Sequence, residues 1–332
     1  MAGELRKAIR AAAPEVSVTF DALCAQWLAP LAEGLDEVRP RPKQVNDAVW
    51  GTVELFPWEV ALLDTPLFQR MRGVRQLGLA YLVFPGAVHD RLEHLIGVVA
   101  AVETMMQSLS RQIERRNGDD EHKGPPLPAI TSRHRYRLRL AAMFHDLGHG
   151  PFSHAIEPVL EVSSPLGEGQ SVAEGTWRGE IAEVRSVLKR TYGLNSIPAV
   201  SEVISVMMIM SSGVTELLRD HRFATRLEAP PTALQEELVA CVVGAVNGPG
   251  ADHLSALISS QLDADRMDYL SRDAHHAGLP MGFDTARLLS RMEVLELHDD
   301  NTPGADSATR VRIADAQGNP VYQIGIAASG FG

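Results

Sequence analysis

Apolar residues recur at a helical period over most of the chain. Within 95–109, Leu95, Val98, Val99, Val102, Met105, Met106 and Leu109 fall three or four positions apart, which places them on one stripe of an α-helix. The pattern predicts a mainly α fold. Strands are expected to be few and late. "TRVRI" (309–313) and "VYQIGI" (321–326) alternate around the turn residues "ADAQGNP", and this predicts a small C-terminal β-hairpin. Two polar stretches, "RRNGDDEHKGPPLPAITSR" at 115–133 and "EVSSPLGEGQSVAEGTWRGE" at 161–180, interrupt the periodicity and read as surface insertions. The opening 44 residues hold one or two helices and close on "RPRPK", a stiff linker. The expected organisation is a helical extension and linker over 1–44, a domain over 45–297 carrying both insertions, and a hairpin segment over 298–332. No internal repeat is visible.

Composition narrows the classes of function. Apolar residues make up 45% of the 332 positions, enough for a packed core. Lys and Arg total 31 against 42 Asp and Glu, a formal charge of −11, so the surface has no general attraction for a nucleic-acid backbone or an anionic membrane. An anionic substrate therefore needs a local cation. Cys24 and Cys241 are the only cysteines, which excludes a disulfide framework and fits a reducing cytoplasm. The start "MAGELRKAIR" lacks a signal peptide's apolar core, and the most apolar window, "VISVMMIM" at 203–210, is too short to span a bilayer. A cytoplasmic protein without membrane or nucleic-acid partners is expected.

Three clusters carry candidate chemistry. "MFHDLGHGPFSH" (143–154) sets His145, Asp146, His149 and His154 among apolar residues and two glycines. Neighbours on a regular helix point about 100° apart. His145 and Asp146 can therefore share an ion where the helix ends, and Gly148 and Gly150 allow that break. One buried histidine would usually satisfy a backbone carbonyl. Four such groups together favour a metal or phosphate site. "PGAVHDRLEHLIGV" (85–98) places His89, Arg91 and His94 at a helix start, with His94 beginning the apolar stripe and Arg91 able to pair with phosphate. "LISSQLDADRMDYLSRDAHHAGL" (257–279) puts Asp265, Tyr269 and Arg272 at i, i+4 and i+7, a carboxylate, a phenol and a guanidinium on one helix face. An ion-paired, solvated face is the rival reading of that last cluster.

In this order, "NDAVWGTVEL", "LLDTPLFQRMRGVRQLG", "VFPGAVHDRLEHLIGV", "FHDLGHGPFSH" and "LDADRMDYLSRDA" resemble the HD-domain phosphohydrolases, most closely the dNTP triphosphohydrolase branch of SAM-and-HD-domain and dGTPase-like enzymes. The likeness runs from about Asn46 to Asp284. It implies an all-helical HD core that binds one divalent ion (manganese, iron, zinc, nickel, cobalt or magnesium) through His94, His145, Asp146 and Asp265. It places His149 and His154 at the phosphate, brings Arg91 onto it with Arg266 as a further cation, and has Gln76, Leu77, Tyr269 and Asp273 shape a sugar pocket. The implied reaction splits a nucleotide substrate, a dNTP, between the 5′ oxygen and the α-phosphorus. Asp64, Gln69 and Arg72 match positions that read an activating nucleotide at a subunit interface, which implies a homo-oligomer.

Two departures stand out. Where the branch carries a His-Glu pair, "VSEVISVMM" (200–208) has Ser201 followed by Glu202, the latter kept as a candidate catalytic group. A slipped alignment would put "AEVRS" (182–186) there instead, also without histidine. Serine cannot charge and discharge near neutral pH, so either His149 or His154 takes over the proton or catalysis is slow, and slow hydrolysis is expected. The resemblance also implies a further helical region after the hairpin, so a short or truncated form is expected. Two other readings remain: a phosphodiesterase or phosphatase acting on another nucleotide or a nucleic-acid end, and a nucleotide-binding sensor with weakened catalysis.

Overall fold

The 95–109 stripe lies inside one 27-residue helix, Arg91–Asn117, of the structure, a computed structural model. It describes residues 3–33, 42–119, 126–158, 176–220, 228–245, 247–280, 284–296, 298–299, 311–312 and 322–326. In chain order the helices are α1 (Glu4–Ala12), α2 (Pro14–Glu33), α3 (Pro57–Leu63), α4 (Pro66–Gln69), α5 (Arg91–Asn117), α6 (Ser132–Phe144), α7 (Trp177–Tyr192), α8 (Val200–Ile209), α9 (Ser212–Arg219), α10 (Pro231–Val242), α11 (Ala264–Ala277) and α12 (Thr285–Ser290). The fold is mainly α. Among the described residues no single helix is long and apolar enough to cross a membrane.

The chain forms two compact units. The first joins Met1–Val102 to Ser132–Met281 and the second joins Glu103–Thr131 to Gly282–Gly332. In the first, α2 packs on α9, and α10 lies against α6 and α8. Leu95, Val98, Leu140, Phe144, Val206 and Leu238 are fully buried there, and Phe68 meets Phe144 edge-on with centroids 5.4 Å apart. Helix ends are marked chemically. Asp263 caps α11 by accepting the Arg266 N–H at 2.7 Å, and Gly278, at φ 67°, closes it.

Strands are not all late. β1 (Lys43–Asp47) and β2 (Gly51–Leu55) form an antiparallel hairpin near the start of the described chain, with Val45 opposite Val53. Its turn, "DAVWG", lacks the Asn-Gly signature and is built by Asp47, whose Oδ1 accepts the N–H groups of Val49 at 2.8 Å and Trp50 at 2.9 Å. Val53 and Leu55 are buried while Lys43 and Gln44 are exposed, so alternation is clear on one strand only. Lys43, read from sequence as linker, belongs to β1.

In the second unit the two late runs are strands with different partners. β6 (Tyr322–Ile326) pairs with β3 (Met292–Glu296), and β5 (Val311–Arg312) pairs with β4 (His298–Asp299), both antiparallel. The missed element is "MEVLE", itself alternating, with Met292 and Val294 buried. The ends of the two polar stretches are helical: 115–117 closes α5, Ser132 and Arg133 open α6, and Trp177 to Glu180 form the first turn of α7 behind the Thr176 cap. Their centres, 120–125 and 161–175, lie outside the described residues.

Two glycines let the functional segments meet. At Gly97 a Cβ would lie 1.9 Å from Asp268 Oδ1 and 2.2 Å from Arg272 Nη2, so α11 can approach α5 only over a bare backbone. At Gly148 a Cβ would fall 1.8 Å from the Ser201 carbonyl oxygen. Overpacking of this kind costs roughly 1–3 kcal/mol. Gly97→Ala is expected to lower stability by about that much in urea melts, whereas Gly73→Ala, which meets nothing within 4 Å, is expected to leave the midpoint nearly unchanged.

Candidate active site

The site lies where the start of α5, the end of α6 and the start of α11 meet, all within the first unit. His94, one turn into α5, is fully buried. Its Nδ1 lies 2.7 Å from Asp268 Oδ2, so it donates to that carboxylate and Nε2 carries the lone pair. His145 follows the last residue of α6. Its Nδ1 donates to the Ala142 carbonyl at 2.8 Å, again leaving Nε2 as the bare acceptor. Both Nε2 atoms are buried and receive no hydrogen bond. Facing them are acceptors: Asp265 Oδ1 lies 3.0 Å from His94 Nε2 and 3.6 Å from His145 Nε2, and Asp146 lies 3.4 and 3.7 Å from the same two atoms.

Acceptors held this close can share a cation between them. Two neutral imidazoles and two carboxylates are the donor set of a borderline transition ion. Among the described residues His94, His145 and Asp146 also form a group with ligand atoms within 4.8 Å of one another. The residues present fit a divalent ion. Burial opposes charge on His94, but the neighbouring carboxylates of Asp265 and Asp268 overcome that and push its pKa up to about 10. Burial likewise opposes charge on His145, and Asp146 and Asp265 still raise its pKa. Burial would raise the two carboxylates; Asp146 is held well below the usual range chiefly by Arg91, and Asp265 is lowered by His145 and His94.

The surrounding groups are fixed by named contacts. Arg91 donates through Nη1 to Asp146 and through Nη2 to Ser153. Ser205 Oγ donates to the His145 carbonyl at 2.8 Å and accepts the Gly148 N–H at 2.8 Å, clamping the turn onto α8. The half-buried Arg70 holds the His149 carbonyl at 3.1 Å. His149 Nε2 lies 3.3 Å from Asp146 Oδ1. His154 Nδ1 lies 3.4 Å from Glu157, which also accepts from Ser201 Oγ at 2.6 Å. The Glu157 hydrogen bond raises the His154 pKa. Burial would raise Glu157 itself, yet its bonds to His154 and Ser201 hold it down to about 2.

A cavity of about 420 Å³ opens over these groups. Gln76, Leu77, Arg91, His145, Asp146, His149, His154, Ser201, Glu202, Asp265, Tyr269 and Asp273 all line it. Gln76 is brought beside Arg91 by a short bridge, in which Gln76 N donates to His89 O and Arg91 N to Val74 O, at 3.1 and 2.9 Å. Residues 182–186 are not among its lining, whereas Ser201 and Glu202 are. Glu202 accepts the Ala199 N–H at 2.7 Å, and burial raises its pKa.

Other groups sit elsewhere. Arg266 lies outside the lining, its side chain 51% exposed and 3.8 Å from Asp263. Arg272 does not share a face with Asp265 and Tyr269 toward the cavity; it is fully buried and paired with Asp268 and Asp47. Asp64 and Arg72 are exposed, with Arg72 Nε donating to Gln69 at 2.9 Å. Asp64 ends α3, and Thr65 Oγ1 donates to Leu62 O without capping α4. Sequence reasoning missed Asp268, whose Asp-x-x-x-Arg spacing to Arg272 was the available signal, and Glu157, three residues after His154. Arg70 and the hairpin pair Asp47 and Trp50 lie within the matching stretches "LLDTPLFQRMRGVRQLG" and "NDAVWGTVEL", but no spacing singled them out.

The HD domain model matches residues 91–273. The chain is 28% identical over 274 residues to the human deoxynucleoside triphosphate triphosphohydrolase SAMHD1, covering 78% of this chain and 37% of that protein. It is 30% identical over 267 residues to the zebrafish (Danio rerio) protein of the same name, covering 79% and 38%. It is also 33% identical over 237 residues to the uncharacterized protein YwfO of Bacillus subtilis, covering 71% and 40%. The chain thus spans well under half the length of these relatives.

The purified chain is expected to hold about one transition-metal ion, the capacity of one such four-ligand set. Replacing His145 and Asp146 together with alanine should empty it. Unchanged metal content in that double variant, by elemental analysis, would contradict the ligand assignment.

Proposed function

Because the chain belongs to the HD-domain family, we propose that this cavity is the active site of a metal-dependent nucleotide phosphohydrolase, with a dNTP as substrate and deoxynucleoside and triphosphate as products. The observation that carries the reading is the pair of buried, bare Nε2 atoms facing Asp146 and Asp265 beside Arg91. The vertebrate relatives, deoxynucleoside triphosphate triphosphohydrolases by name, support the substrate. The cavity volume is also that of a small-ligand site.

His94, His145, Asp146 and Asp265 would hold the ion. When bound, it supplies a Lewis acid for a phosphoryl oxygen and acidity for a water. Arg91, pinned by Asp146 and Ser153, presents fixed positive charge to phosphate without reorganising. His149 orients Asp146 from its far side. With Nδ1 turned to Glu157, His154 offers Nε2–H to the 5′ oxygen as the bond to the α-phosphorus breaks, while water forms the new P–O bond. Glu157 keeps that imidazole charged. Gln76, Leu77, Tyr269 and Asp273 bound the sugar end of the cavity. Asp64, Gln69 and Arg72 belong to the same proposal as contacts for an activating nucleotide between copies of the chain.

One feature favours a second reading. Among the described lining residues Arg91 is the one Arg or Lys, against Asp146, Glu202, Asp265 and Asp273. That balance suits an ester with less phosphate charge than a triphosphate, as a phosphodiesterase or phosphatase would take.

Incubation with each dNTP and NTP plus manganese, followed by ion-exchange chromatography, separates the readings. Tripolyphosphate supports the first, orthophosphate or a linear nucleotide the second, and binding without product leaves a sensor. Hydrolysis is expected to be slow, and Ser201→His to raise it toward the ~10²–10⁴ that a positioned acid contributes. Ser201→Ala should change it little, because Glu157 keeps His154. An acid is lost as pH rises through its pKa. Glu157→Gln lowers the His154 pKa, so the alkaline limb of the rate profile should move to lower pH; an unmoved limb would remove His154 from the proton's path.

A further inference from the structure

The most thoroughly bonded group near the site is one that touches no substrate. Asp268, on α11, is fully buried, and four donors converge on its carboxylate. Oδ2 accepts from His94 Nδ1 at 2.7 Å and Arg272 Nε at 2.9 Å. Oδ1 accepts from Trp50 Nε1 at 2.7 Å and Arg272 Nη2 at 2.8 Å. A carboxylate has about four acceptor positions, so Asp268 has none left for an ion.

The support continues outward. Arg272 Nη2 also donates to Asp47 Oδ2 at 2.8 Å, and Asp47 Oδ1 holds the hairpin turn that presents Trp50. Gly97 clears the space in which Asp268 and Arg272 lie. The β1–β2 hairpin and His94 are thereby joined through two buried side chains. A carboxylate that accepts from one ring nitrogen fixes both the tautomer and the orientation of the other.

We infer that Asp268 is the positioning residue for His94, and that the β1–β2 turn, through Asp47 and Trp50, sets where Asp268 stands. The inference rests on the metal-site reading above. Asn at 268 keeps the shape but replaces one acceptor oxygen with an NH₂ that faces two donors, so the His94 ring loses its fixed hydrogen bond. Trp50→Phe keeps the ring and removes one donor only.

The test is calorimetric titration of the metal-free full chain with manganese, paired with the visible absorption of its cobalt-loaded form. Asp268→Asn is expected to weaken manganese binding about 10- to 100-fold and to change the cobalt band. Trp50→Phe should weaken binding by a smaller factor in the same direction, and it carries the test if Asp268→Asn fails to fold. Asp252→Asn breaks another two-bonded pair of a buried arginine, Arg137 with Asp252 at 2.7 and 2.9 Å, outside the cavity lining. It should lower thermal stability and leave manganese affinity and the cobalt band unchanged. If wild type binds manganese and both Asp268→Asn and Trp50→Phe bind it equally well, Asp268 is merely structural and the inference is overturned alone. A wild-type chain that binds no manganese overturns the metal site and the inference with it.

Discussion

Buried charge is the constraint on which the rest of this structure depends. His94 and His145 turn buried, unpartnered nitrogens toward the oxygens of Asp146 and Asp265. Left alone, such a cluster would repel itself and unfold its surroundings or take up protons. Each neighbour answers part of that cost. Arg91 offsets Asp146, Asp268 and the Ala142 carbonyl lock the two rings, and Ser205 pins the turn that follows α6. The glycines at 97 and 148 are consequences of the same demand, because the groups can be brought together only where backbone approaches without a Cβ.

The side chains gathered at the site were legible because each belongs to a motif with a local signature. His94 starts an apolar stripe, His145 and Asp146 sit at a helix end marked by Gly148, and Asp265 opens a helix behind the Asp263 cap. The helical fold was legible for the same reason, periodicity over long stretches. What escaped were features made by tertiary contact. The β1–β2 hairpin alternates clearly on one strand and turns on an Asx bond instead of a glycine pair. β3 alternates over five residues as β6 does but follows directly on α12 without a turn signal between, so the late strands were given each other as partners. Arg272 looked like part of a catalytic face because spacing alone cannot tell a cavity-facing guanidinium from one buried against Asp47 and Asp268.

Ser201 is tied into the site through a carboxylate. Its hydroxyl donates to Glu157, which faces His154, and the bonds from both hold the Glu157 pKa down. Glu202 is tied to the start of α8. With Arg266 turned to solvent, Arg91 is the one Arg or Lys among the described lining residues, and it is already committed to Asp146.

The central claim is that the two bare imidazole nitrogens are ligands of an ion. X-ray absorption at the manganese edge, on the chain loaded with one equivalent, reads the ligands directly. The account predicts the outer-shell scattering pattern of two imidazoles in a shell otherwise made of oxygen. A shell of oxygen alone, with no imidazole scattering, would contradict it.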